Sequence, residues 1–159
     1  MNHFLSAPVT DTQRQRHALL GALVGLARST VNEPKTEDTD RVLASGLRLA
    51  ADPDAAEDAL RRMYSIVETE KHRVAPNCAT CTMRCGNTDN YDLARLWAAP
   101  EDIRALKLRL LAAVFRLAQG RPDACAQEVI DQALFVLAED WDEELLAPVV
   151  KRAEDCCAG

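Results

Sequence analysis

Apolar residues return at helical spacing in six segments, separated by short breaks rich in Gly, Pro, Asn and Asp. In the first, from Asp11 to Ser29, Leu19, Leu20, Leu23 and Leu26 share one side of a helix that Thr10 or Asp11 can cap. Gly21 and Gly25, one turn apart on it, would let a neighbouring helix approach closely. Asn32, Glu33 and Pro34 end that pattern. Thr36 or Asp38 then opens a second helix carrying Val42, Leu43, Leu47 and Leu49 to about Ala50. Asp52 followed by Pro53 has the form of an N-cap and first helical residue, which predicts a third helix from there through Leu60, Met63, Tyr64 and Val67 to about His72. After a long aperiodic stretch, Tyr91 to Trp97 can form a short helix closed by Ala99-Pro100. The fourth main helix, Glu101 to Gln119, is apolar on nearly every face between Ala105 and Ala118, so a central place is expected for it. Gly120 ends it, and Pro122 opens a fifth helix through Val129, Ile130, Leu134 and Leu137. Asp140 is expected to cap the sixth, with Asp142, Glu143 and Glu144 in its first turn. Neither an internal repeat nor a low-complexity segment stands out.

The predicted fold is therefore all-α: an antiparallel bundle of about six helices in a single domain spanning 1–159, residues 1–10 flexible, with a cysteine-bearing loop over 74–92 between the third and fourth helices. Composition agrees. Aromatics are 4% of the chain while hydrophobic residues reach 48% and are mostly Ala and Leu, which suits helix packing better than a pleated sheet. The longest wholly apolar run, Ala18 to Ala27, is about half of the ~20 residues a spanning helix needs, so no membrane crossing is expected. A secretory leader would need its basic region to begin at Arg14, after Asp11, and a packed amphipathic helix is the better reading. A net charge of −6 without a Lys/Arg stripe argues against nucleic acid as a partner. Six cysteines in a chain with enough length for a core point to reduced thiols and a cytoplasmic location rather than to a secreted disulfide scaffold. A homo-oligomer is compatible with all of this.

Chemistry concentrates in the aperiodic stretch. Cys78-Ala79-Thr80-Cys81-Thr82-Met83-Arg84-Cys85 offers three thiolates with two- and three-residue gaps, the spacing a turn needs to aim sulfurs at one centre. Ala79, Thr80, Thr82 and Gly86 are small enough for the backbone to wrap closely. A compact domain seldom leaves so long a segment structureless, which favours a metal or cluster as its organiser over three idle thiols or a disulfide. Cys78, Cys81 and Cys85 are the candidate ligands of an iron–sulfur cluster, [4Fe–4S] first, with zinc as the alternative. His72, just ahead of the segment, is the candidate fourth ligand. Cys125, Cys156 and Cys157 belong to the other pole of an up-and-down bundle. With 1.5 Å of rise per residue, Cys156 falls roughly 22 Å from the start of its helix near Trp141. Glu68, one turn before His72, reads as a solvated charge, and His3 and His17 carry no assigned role. No nucleophile–base set, phosphate-binding Gly loop or pair of inward carboxylates can be picked out, so catalytic residues are unknown.

Cys85-Gly86-Asn87-Thr88, Tyr91-Asp92-Leu93, the apolar fourth helix and Gln127 to Phe135 resemble the N-terminal helical region of the hybrid cluster proteins, the family named hydroxylamine reductases. The likeness covers roughly residues 76 to 140. In that family four N-terminal cysteines hold an iron–sulfur cubane, the last two seven apart with a glycine after the second, and Cys78 and Cys85 match this spacing. No cysteine pair precedes Cys78, and Cys81 sits between the matched positions, so the ligand set implied here differs. The family's reductase chemistry uses a second, oxygen-containing cluster held by large downstream domains, and these 159 residues are not expected to supply a counterpart to them. The chain also resembles short single-domain bacterial proteins carrying that name and this cysteine loop. Together these readings imply a redox or electron-transfer protein with an unidentified partner, hydroxylamine reductase-like in name and not expected to reduce hydroxylamine. A non-enzymatic, zinc-stabilised interaction module is the alternative.

Overall fold

A computed structural model of the chain describes residues 9–30, 36–74, 94–120 and 123–158. Among the described residues every regular element is an α-helix, and there is no strand. The all-α expectation holds. The elements are α1 (Asp11–Ser29), α2 (Glu37–Ala51), α3 (Glu57–Val74), α4 (Ala94–Ala98), α5 (Glu101–Gln119), α6 (Ala124–Leu137) and α7 (Glu143–Ala158). They fall into two compact units, Met1–Asp92 and Leu93–Gly159.

In the first unit, Thr10 and Gln13 form a reciprocal cap at the start of α1. The Gln13 amide donates to Thr10 Oγ1 at 3.1 Å and the Thr10 amide to Gln13 Oε1 at 3.2 Å, which satisfies two of the amides that a helix start leaves without partners. From Leu19 to Ala27 every residue of α1 is buried. α1 runs antiparallel to α2, since Arg16 near its start reaches the carbonyls of Ala50 and Asp52 at the end of α2. The start of α2 in turn meets the end of α3, where Thr39 Oγ1 donates to Glu70 Oε2 at 2.6 Å. α1 and α3 are thus parallel, and they share the unit's most extensive contact. Gly46 of α2 marks the closest approach to α1, because a Cβ placed there would lie 2.6 Å from Leu23 Cδ2. Gly21 and Gly25, expected to serve close packing, are buried as well.

The start of α3 departs from expectation. Asp52 caps the end of α2, its carboxylate accepts from the Asp54 amide at 2.9 Å and its carbonyl from the Ala55 amide at 3.2 Å. Asp-Pro therefore closes a turn, and the helix begins at Glu57. The residues that suit an N-cap and N1 also suit the first two places of a turn, because in both an Asp oxygen accepts a nearby amide and Pro fixes φ.

In the second unit α5, α6 and α7 repeat the up-down-up order. Lys107 of α5 reaches Leu137 O (3.2 Å) and Glu139 O (2.9 Å) at the end of α6, and Arg152 of α7 reaches Gln132 Oε1 of α6 at 2.8 Å. Parallel α5 and α7 are joined by a two-toothed ion pair in which Arg109 Nε and Nη2 donate to Glu154 at 3.1 and 2.5 Å. The start of α6 is capped by Asp123, which accepts from the Ala126 amide at 2.8 Å. For α7 the cap is Asp142 rather than Asp140, its carboxylate accepting from the Leu145 amide at 3.1 Å. The short helix foreseen over Tyr91 to Trp97 appears as α4, and Tyr91 and Pro122 lie outside the described residues.

Candidate functional site

Cys78, Cys81 and Cys85 lie outside the described residues, as do His3 and residues 1–8. What the structure places is the helix from which the cysteine segment departs. His72 sits in the last turn of α3, exposed, and its imidazole makes no hydrogen bond to a described residue. Cys78 lies six positions further along the chain, with five residues between. At a maximum of ~3.3–3.6 Å per residue that span is at most about 20 Å, so chain length does not forbid His72 and Cys78 from sharing a centre.

That last turn is anchored by charge. Glu70 is buried and accepts from Thr39 Oγ1 (2.6 Å), Arg73 Nε (2.9 Å) and Arg73 Nη2 (2.5 Å), while the same guanidinium donates to Thr36 Oγ1 at 3.1 Å. The Arg73 hydrogen bonds hold the Glu70 carboxyl below its ordinary range against the opposing effect of burial, with Thr39 assisting. Lys71 is buried and pairs with Glu68 at 2.9 Å. Glu68, expected to be a solvated charge, is half-buried in this pair. Lys71, His72 and Arg73 also bring three basic residues to the carbonyl end of α3, where the helix dipole favours them. α3 is thereby pinned up to the residue where the cysteine segment begins.

The three described cysteines are all free thiols. Helix order puts Cys125, at the start of α6, and Cys156 and Cys157, at the end of α7, at the same pole of the second unit, as an up-and-down arrangement requires. Cys125 is exposed. Cys157 is half-buried, and its Sγ donates to Ala113 O at 3.3 Å. Burial pushes the Cys157 thiol above its ordinary pKa, against the opposing pull of Arg116. Among the described residues no group of three or more His, Cys, Asp or Glu side chains could hold a metal ion. A metal centre held by three or more such side chains would have to draw on residues beyond those described.

Two functionally informative residues escape a reading of the sequence alone. Arg16 (3% exposed) and Lys107 (4%) are buried cations, each at the end of a neighbouring helix. Both sit one turn before the apolar run of their own helix and on its inward face, as Leu19, Leu20 and Leu23 after Arg16 and Leu110, Leu111 and Val114 after Lys107 attest. A cation in phase with the apolar stripe was the available signal. No protein-family model matches the chain, and neither a curated protein nor a solved structure is found to be similar to it.

Proposed function

We propose that the chain is a helical redox protein whose metal centre, an iron–sulfur cluster, is held by Cys78, Cys81 and Cys85 with His72 as the fourth protein ligand. The observation that carries this reading is the spacing of three thiols within eight residues, on a segment that leaves an electrostatically pinned helix end with an uncommitted histidine in its last turn. Thiolates are the ligands that iron–sulfur clusters take. Zinc accepts the same three-sulfur, one-nitrogen set, with bonds of about 2.3 Å to sulfur and 2.0–2.1 Å to nitrogen. When bound, an iron–sulfur cluster supplies a one-electron couple. The part of this chain's residues is to ligate it and to fix its position at the end of α3. The partner is accordingly a protein that gives or takes single electrons, and the resemblance to hybrid cluster proteins supports a redox role over hydroxylamine reduction.

Anaerobic purification, metal analysis and a visible spectrum test the proposal together. Iron with acid-labile sulfide and a broad visible absorption that bleaches on reduction is expected. Serine at any one of Cys78, Cys81 or Cys85 should lower metal content sharply, since one ligand is lost from a small set. Full metal occupancy in all three single variants would overturn the site. Stoichiometric zinc with no visible absorption would leave the ligands standing and replace the redox role with a zinc-stabilised interaction module.

A further inference from the structure

The two compact units use the same device at the same place. Arg16 of α1 donates through Nη1 to Ala50 O (2.7 Å) and Asp52 O (2.6 Å) at the end of α2. Lys107 of α5 donates through Nζ to Leu137 O (3.2 Å) and Glu139 O (2.9 Å) at the end of α6. In each case a buried cation on the first helix satisfies two carbonyls, two residues apart, at the end of the second. Ala50 O and Leu137 O belong to the last turns, where carbonyls lack helical partners and the dipole's negative end lies, and Asp52 O and Glu139 O follow just beyond, so a desolvated cation is well matched to both pairs. Such a clamp is not a general requirement of three-helix packing, because Gly, water or an exposed Lys can do the same work.

The equivalence extends along all three helices. Aligning Arg16 with Lys107 sets Leu19-Leu20-Gly21-Ala22-Leu23-Val24-Gly25-Leu26-Ala27 over Leu110-Leu111-Ala112-Ala113-Val114-Phe115-Arg116-Leu117-Ala118. Both leucines of the opening pair, the alanine two places on and the closing Leu-Ala are identical. Aligning the clamped Ala50 with Leu137 sets the N-cap Thr36 over the N-cap Asp123, and each accepts from the amide three residues on, Thr39 and Ala126. The same register puts Val42 over Val129, Leu43 over Ile130, Leu47 over Leu134, and the close-approach Gly46 over Ala133. On the third helix Glu57, Leu60 and Glu68 fall over Glu143, Leu146 and Glu154, with Leu60 and Leu146 fully buried. Within both units the first and third helices are parallel and make the most extensive contact.

We propose that the chain is a tandem repeat of one three-helix unit, α1–α2–α3 and α5–α6–α7 matching position for position, and that the segment carrying Cys78, Cys81 and Cys85 is an insertion between the copies rather than part of either. The repeat was not legible at a fixed sequence period because the connection after the first helix is longer in the first copy, residues 30–36 against 120–123, so the register changes from helix to helix. The copies diverge at the pole where the second helix starts and the third ends. There Asp38, Glu70 and Lys71 of the first copy are matched by Cys125, Cys156 and Cys157 of the second, so an ion-pair network has given way to free thiols.

The test is a single-substitution scan of the full chain, scored by resistance to proteolysis. Tolerance in the first copy should track tolerance in the second most closely in the register Arg16/Lys107, Thr36/Asp123 and Leu60/Leu146, and less closely when one profile is slid by one or two residues. At the clamp, Arg16→Lys and Lys107→Arg should keep the melting temperature within a degree or two, while Arg16→Met and Lys107→Met should each lower it by several degrees. A best match in another register, or a clamp indifferent to Met in one copy and not in the other, overturns the proposal.

Discussion

At the residue scale, small differences in packing and charge decide more than composition does. Gly46 shows how the balance falls. Alanine there gains about 0.5–1 kcal/mol of helix propensity. Its Cβ, however, would stand 2.6 Å from Leu23 Cδ2 and 3.3 Å from Leu23 Cγ, and Leu23 is fully buried with little room to turn away. Overpacking of this kind costs about 1–3 kcal/mol, so Gly46→Ala is expected to destabilise, by roughly 1 kcal/mol net, read as a lower urea midpoint. Glu70 carries the opposite kind of information. Its folded-state carboxyl is held below the ordinary value near 4.5, so the stabilisation it brings is fully present above that value. As the pH falls through the depressed folded value, that stabilisation is lost. Urea midpoints measured from about pH 6 down to pH 3 should therefore fall more steeply for the native chain than for Glu70→Gln. Parallel slopes would show that the Arg73–Glu70–Thr39 network does not differ between the folded and unfolded chain.

At the scale of elements, what could be read from the chain was periodicity, and what could not was the use of ambiguous polar residues. α1 and α5 appear with the bounds their apolar stripes indicate, because a long amphipathic run has few other ways to bury its face. Asp52-Pro53 reads equally as a helix start or a turn, and only the carbonyl ends of α2 and the reach of Arg16 settle it as the latter. Asp140 and Asp142 both satisfy the sequence rule for a cap. The choice between them rests on which carboxylate meets a free amide, here Asp142 with Leu145. Asp123 is a cap whose loss is easy to interpret, since its carboxylate accepts from the Ala126 amide while its carbonyl, which any residue supplies, accepts from the Gln127 amide. Asp123→Ala should cost about 0.5–2 kcal/mol and Asp123→Ser much less. Hydrogen exchange would localise the change to the first turn of α6. An unchanged first turn in the alanine variant would mean that water replaces the carboxylate at no cost.

At the scale of the whole molecule, the described cores are built by the helices. The buried apolar residues of each unit come from its own helices, led by Leu19, Leu20, Leu23, Leu43 and Leu47 in the first and Leu110, Ile130, Leu134 and Leu146 in the second. Small metallodomains that lack a core unfold without their metal, because metal binding and folding are one free energy. Here the described helices of each unit bury a substantial apolar core of their own. Chelation of the proposed cluster should accordingly abolish the visible absorption expected of it while leaving the far-UV helical signal and the cooperative melt in place. Serine at Cys81 should behave in the same way. A collapse of helical signal on chelation would instead make the metal a structural staple of the units themselves, and the thiolates would have to be counted as part of the fold rather than as chemistry added to it.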